Sequence, residues 1–193
     1  MRGLLGLSLE GREIPVYRNF REEKAGAPPG AGPSTLLIGG THGDERATVT
    51  LLEAFVRSHL ATGRIREPVA VIPLHNPDGY ARDIRYNARG VDLNRNFPMG
   101  WSASSEEPSG ATPLSEPEAR LLHDFILASR PTRIVSLHWA LAEIDADGSQ
   151  SAPLALSMWN ALTSEERIPY RLRLDDGSMP PSTPGSLGQW CGH

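Results

Sequence analysis

One cysteine, Cys191, stands in 193 residues, so the chain can close no internal disulfide and can build no thiolate metal site. Metal ligands would have to come from its six histidines and 23 acidic residues. Long apolar runs are just as scarce. Nothing approaches the roughly 20 consecutive apolar residues of a membrane-spanning helix, and the opening MRGLLGLSLEGRE meets Glu10 before it can form the core of a secretory signal. A dominant charge is missing too. The 19 basic residues against 23 acidic ones leave a formal −4, too balanced to attract nucleic acid or an anionic membrane. These absences predict a cytoplasmic protein whose basic sites are local.

What the chain does hold is 39% hydrophobic residues, enough for the core of a single domain over 1–193. Its 19 glycines and 17 prolines exceed the usual combined share of about 12% but show no collagen period. They read as many loops on a compact scaffold.

Apolar periodicity places the elements. Residues 4–8 and 13–17 flank Glu10-Gly11-Arg12 and predict a β-hairpin turning on the glycine. A charged, Gly/Pro-rich connector covers 18–33. The runs STLLIG (34–39) and VAVIPL (69–74) are almost uninterrupted, as in strands covered on both faces. Between them Thr48, Leu51, Leu52 and Phe55 keep the spacing of a helix that begins near Asp44 and stops at Thr62-Gly63. Residues 75–114 show almost no period, yet their aliphatic and aromatic residues favour a functional stretch over a disordered one. Ser115-Glu116-Pro117-Glu118 reads as a capping box opening a second helix, striped by Ala119, Leu122 and Ile126. Pro131 ends it, and TRIVSLH (132–138) is another buried strand, finishing on a histidine. A third helix over 151–162, an alternating strand over 170–174 and the start of a helix over 184–193 complete the order.

His42 and Glu45 fall where a strand gives way to a helix, three positions apart on one side of the first helical turn. Such a pair holds a metal ion or merely caps the helix. Ligand sites of open α/β sheets lie beyond the carboxyl ends of the strands, and His138 ends another strand on that rim. Two histidines and one glutamate leave a fourth position for water, the ligand set of a catalytic zinc rather than a structural one. His75, ahead of the Asn76-Pro77-Asp78-Gly79 turn, is the rival ligand; His59 and His123 lie inside helices and His193 is terminal. The long loop contributes Arg85, Asn94 and Arg95, arginine being suited to gripping a carboxylate or steadying an oxyanion. Arg82, Arg85, Arg89 and Arg95 equally describe a solvated basic loop, although Val91, Leu93 and Phe97 would tether it to the core. Asp92 offers either a metal ligand or, the preferred reading, a structural hydrogen-bond acceptor.

Six motifs in order, GGTHGDE (39–45), NPDGY (76–80), RYNARGVDLNRNFP (85–98), SEPE (115–118), SLH (136–138) and TPGSLGQW (183–190), resemble those of the zinc metallocarboxypeptidases, and within them the bacterial murein peptide amidase branch. The resemblance runs from about Gly6 to the last residue. It implies an α/β fold, a doubly wound mixed sheet between helices, with His42, Glu45 and His138 on one zinc ion. It further implies that Arg85 polarises the scissile carbonyl while Asn94 and Arg95 hold a free substrate carboxylate. The expected activity is zinc-dependent hydrolysis of a peptide or isopeptide bond beside that carboxylate, for the murein branch the γ-D-glutamyl to diaminopimelate bond.

Three departures accompany the resemblance. The family's general base is a glutamate on a strand beyond the TPGS helix, and the sequence stops at His193. The chain is therefore expected to lack a C-terminal strand and helix, to expose a sheet edge, and to lose roughly 10²- to 10⁴-fold in rate with the base. A non-catalytic zinc-binding module is the alternative reading, and Glu143 is the first substitute base to consider. Met179-Pro180-Pro181-Ser182 stands where relatives often carry a tyrosine, and Trp139-Ala140-Leu141 follows His138 where a proline commonly precedes the leucine.

Overall fold

The structure is a computed structural model that describes residues 1–20, 32–139, 142–177 and 184–192. Most of the 18–33 connector, the Met179-Pro180-Pro181-Ser182 segment, Ala140, Leu141 and His193 lie outside the described residues. The hairpin forms as expected from β1 (Arg2–Leu7) and β2 (Glu13–Arg18), antiparallel, with Gly11 at φ +80° in the turn. The two apolar runs become β3 (Thr35–Ile38) and β4 (Val69–Ile72), parallel and in register from Thr35 opposite Val69 to Ile38 opposite Ile72. β5 (Arg133–Ser136) lies parallel on the other side of β3, and β2 pairs antiparallel with β4. The result is a mixed five-stranded sheet in the order β1-β2-β4-β3-β5. Among the described residues, β5 is its outer strand on one side.

Alternation along β4 decides how the sheet is covered, because successive side chains point to opposite faces. Val69 and Val71 pack with Leu52, Val56 and Leu60. These come from α1 (Arg46–Phe55) and the π-helical turn Val56–Leu60 that continues it. Ala70 and Ile72 face the other way, into a core with Phe97, Leu122 and Ile126, the last two from α3 (Pro117–Ser129). Helices therefore cover both faces, and the doubly wound expectation is met. No helix among the described residues is long and apolar enough to cross a membrane.

Regular structure departs from the sequence reading in several places. NPDGY is not a bare turn but a short helix, α2 (Pro77–Arg82), with Pro77 at its first turn and Asn76 accepting from the Gly79 N–H at 2.9 Å. The capping box at 115–118 does not form. The helix starts at Pro117 with Glu116 as its N-cap and no side-chain capping bond, so Ser115 sits one residue too early. Glu118 is drawn elsewhere: its buried carboxylate accepts from the Leu9 N–H at 2.9 Å. The third helix is α4 (Ala152–Ala161), and the last is α6 (Leu187–Cys191). The strand read at 170–174 shortens to β7 (Arg173–Asp175), which pairs parallel with an unforeseen β6 (Glu143–Asp145). A one-turn helix, α5 (Ser164–Arg167), carries the capping box that does form, between Thr163 and Glu166. That Thr-x-x-Glu pattern was legible in the sequence.

The long stretch 75–116 is ordered by buried side chains rather than by ladders. Asp78, Asp92, Glu116 and Glu118 are all at most 1% exposed, and each is answered by donors. Asp78 accepts from the Ser8 hydroxyl at 2.7 Å, the Glu10 N–H at 3.0 Å and Arg12 at 2.6 Å, fastening the hairpin turn to α2. Glu116 accepts from Asn87 at 2.8 Å and from Arg89 at 3.1 Å. Removing one side of such a buried pair strands the other. Glu118→Ala should lower the free energy of unfolding by roughly 1 to 3 kcal/mol in a urea titration, because the Leu9 N–H and the buried Asn87 amide both lose the carboxylate that accepts from them.

Candidate metal centre

Beyond β3 the chain turns through Gly39 and Gly40 into the loop that carries His42 and Glu45. Gly40 has φ +59°, and a Cβ there would lie 2.8 Å from Val49 and 2.9 Å from Leu74, so only glycine fits. His42 and Glu45 do not share the first helical turn. They sit in a tight turn ahead of α1, where the Glu45 N–H donates to the His42 carbonyl at 3.2 Å. Glu45 is the N-cap residue of α1, yet its side chain makes no capping bond. The carboxylate turns instead to two imidazoles, which removes the mere-cap reading.

His138, two residues past β5, completes the cluster. Glu45 Oε1 lies 2.8 Å from His42 Nδ1 and Glu45 Oε2 lies 3.1 Å from His138 Nδ1, with the two Nδ1 atoms 3.3 Å apart. His42 and Glu45 are buried and His138 is half-buried. The far side of each ring is already engaged. His42 Nε2 donates to Asp92 Oδ1 at 3.1 Å, and His138 Nε2 faces the Ser136 hydroxyl at 3.3 Å. With a proton on each Nε2, both Nδ1 lone pairs point at each other and at a carboxylate, an arrangement that repels itself unless a cation stands among them. The donor set therefore fits a divalent ion with nitrogen and oxygen ligands, and zinc in particular. In the metal-free chain, protonated rings can satisfy the contact instead: burial raises the carboxyl pKa of Glu45, but hydrogen bonds from Nδ1–H of charged His138 and His42 outweigh it and bring the value down to about 2. In Asp92 burial is likewise overcome, by the His42 bond and by the charges of His42, Arg85 and Arg95, again to about 2.

Asp92 has no oxygen left for a metal. Oδ1 takes His42 and the Asn94 N–H at 2.8 Å, while Oδ2 takes Arg85 through Nη2 at 2.9 Å and Nε at 3.2 Å. The hydrogen-bonding role is the one the structure supports. Arg85 is thereby held with Nη1 at 3.3 Å from His42 Nδ1. Asn94 and Arg95 follow in a turn of 3₁₀ helix, Leu93–Arg95, with Asn94 Oδ1 accepting from the Leu187 N–H at 3.0 Å and Arg95 donating to the Asn94 carbonyl at 2.7 Å. The basic loop is solvated only in part: Arg82 and Arg89 are exposed, yet three of its arginines are paired. Arg82 pairs with Glu10, Arg85 with Asp92 and Arg89 with Glu116.

The remaining candidates fall away from the cluster. His59 stacks on Phe55, and His123 contacts Asp124 and Trp190. Glu143 is paired with Arg173 at 3.2 Å. Asp147 was missed by the sequence reading: burial and the nearby charge of Asp145 push its carboxyl up to about 6, while His138 pulls the other way. Only the Asp-x-Asp spacing of Asp145 and Asp147 hinted at it.

His75, the rival ligand, is fully buried and places Nε2 3.0 Å from the Glu118 carbonyl. Burial drives its pKa down to about 4, so it stays neutral in the folded state. The unfolded chain takes up that proton near pH 6.5, the folded one only near 4; stability from this group is thus full above about 6.5 and lost as pH falls toward 4. Between pH 7 and pH 4 the metal-free wild type should lose on the order of 3 kcal/mol more than His75→Gln, read by denaturant titration at each pH. Equal losses would show that His75 is not buried in its neutral form.

The zinc carboxypeptidase family model matches residues 3–142, which include every one of His42, Glu45, Arg85, Asn94, Arg95 and His138. Murein peptide amidase A of Escherichia coli strain K12 is 36% identical over 180 residues, covering 86% of this chain and 69% of that protein. Its counterpart in Vibrio campbellii is 34% identical over 171 residues, covering 81% and 63%. In solved structures, the murein-tripeptide amidase MpaA from Escherichia coli O157 superposes with a TM-score of 0.70 at 30% identity, over 98% of this chain and 77% of that one. Thrombin activatable fibrinolysis inhibitor reaches a TM-score of 0.75 at 23% identity over 98% of this chain and 57% of its own, a likeness of fold. The sheet, the ordered motifs and the matched segment agree, and this chain belongs to the zinc carboxypeptidase family.

Proposed function

We propose that the chain holds one zinc ion through His42, Glu45 and His138 and acts on a peptide or isopeptide bond that adjoins a free carboxylate. The observation that carries this is the convergence of two Nδ1 lone pairs and a carboxylate within 4.8 Å of one another, with the Arg85 guanidinium alongside. Zinc, when bound, polarises a carbonyl and makes water nucleophilic near neutral pH. The protein's own groups do the rest. Asp92 fixes the His42 ring and, through its second oxygen, the plane of Arg85. Two guanidinium nitrogens are spent on Asp92, so Nη1 remains to face the charge that gathers on a carbonyl oxygen at the cluster. Asn94 and Arg95 supply an amide and a guanidinium for a substrate carboxylate.

The murein tripeptide, cut between γ-D-glutamate and diaminopimelate, is the substrate we favour. Support comes from the relatives named murein peptide amidase, and from diaminopimelate's own carboxylate beside that bond.

Elemental analysis of the purified chain should find about one zinc per molecule, and His138→Ala should lose it. An unchanged zinc content in that variant would sink the ligand assignment. Asp92→Asn should weaken zinc affinity about 10- to 100-fold in competition with a chelator, since it loosens the ring that presents Nδ1. Arg95→Ala should abolish binding of murein tripeptide without changing the zinc content. Loss of zinc together with the peptide would instead make Arg95 a support of the metal site.

A further inference from the structure

We propose that the main-chain N–H of Leu187 is a positioning donor that selects the carboxylate-binding orientation of Asn94. This rests on the reading of Asn94 and Arg95 given above. A carboxamide presents an acceptor on one side and two donors on the other, and a half-turn exchanges them. Only the NH₂ side can bind a carboxylate; the oxygen side repels it. A backbone N–H can only donate, so the Asn94 atom 3.0 Å from Leu187 N is the oxygen, and the NH₂ group is turned away from α6. Leu187 is free to serve because it opens α6, where a main-chain N–H has no acceptor within the helix.

The donor is held firmly. The Phe97 N–H donates to the Gly185 carbonyl at 2.9 Å, and the Gly185 N–H donates to the Met99 carbonyl at 3.0 Å. Gly185 has φ +72°, and a Cβ there would lie 2.4 Å from the Arg95 carbonyl oxygen, so the two strands of chain touch backbone to backbone. Trp190 stacks on Phe97 with ring centroids 5.6 Å apart, and Leu187 itself is 3% exposed in the core. Residues 94–99 and 185–190 thus form one clasp, joined from 93 positions apart in sequence at the Asn94 to Leu187 bond.

The test uses the zinc-loaded full chain and two probes: γ-D-glutamyl-diaminopimelate with its scissile carbonyl reduced to CH₂, and the same compound with a carboxamide for the adjoining carboxylate. Calorimetry gives the preference for carboxylate over carboxamide. The wild type and Leu187→Met, which keeps the N–H, should both prefer the carboxylate; Leu187→Pro, which removes it at a position where helices accept proline, should lose about tenfold of that preference while keeping its zinc. Asn94→Leu should show the same loss, and the double variant no more than Asn94→Leu alone. Absence of any preference in the wild type would overturn the carboxylate reading of Asn94 and Arg95. An intact preference in Leu187→Pro would overturn the positioning role and leave that reading standing. Should Leu187→Pro not fold, hydrogen exchange decides: the Leu187 amide should lose protection in Asn94→Leu and regain it in Asn94→Asp, which restores the acceptor but not the carboxylate preference. Unaltered protection in Asn94→Leu would refute the proposal.

Discussion

The carboxylate of Asp92 is the constraint on which the site depends. It is wholly buried and ionised, and such a charge is tolerated only where every lone pair meets a donor. Here the donors are an imidazole from the β3 loop, a guanidinium from the middle of the long loop, and a backbone N–H at the start of the 3₁₀ turn. One side chain therefore sets the tautomer of His42, the plane of Arg85 and the start of the Asn94-Arg95 turn. The three groups belong to separate pieces of chain; Arg85 also touches His42 at 3.3 Å, but Asp92 is the side chain that binds all three.

The same economy runs through the loops around it. An irregular stretch has no ladder to satisfy its backbone, so side chains must do so. Asn87 illustrates the solution: its amide oxygen accepts from the Arg89 and Val91 N–H groups, while its nitrogen donates to Glu116. Asn96 repeats it, donating to the carbonyls of Ser109 and Thr112 and accepting from the Glu116 N–H. These asparagines and carboxylates act as a second core, polar and fully paired, laid against the apolar one at Phe97. The abundance of polar residues in 75–116 is thus the means by which that stretch is held rigid.

This explains which features were legible in the sequence. Strands β3 and β4 and the stripe of α3 were legible because burial on two faces, or on one helical face, imposes a period on residue type. His42, Glu45 and His138 were legible because they follow strands whose ends must meet at one rim. The SEPE segment was misread because Ser-x-x-Glu is a local pattern, and the N–H of Leu9, over a hundred residues away in sequence, took the buried glutamate carboxylate instead. β6 is three residues long, too short for alternation to announce it, and of the alternating run read over 170–174 only the end is kept in β7. No period marks a residue such as Asn94, whose orientation depends on a backbone donor in α6.

His42 and His138 stand 96 positions apart, yet their nitrogens nearly touch. An ion held between them ties the chain into one large ring, something its solitary cysteine cannot do. In the chain-entropy picture, a covalent tie across about 100 residues removes enough freedom from the unfolded chain to favour the native state by about 4 to 5 kcal/mol. A coordinate tie is reversible, so the benefit would scale with the free metal around the protein rather than being fixed at synthesis. The order of synthesis adds a clock. The half-site on the β3 loop emerges from the ribosome long before β5, and the ring cannot close until His138 has been made.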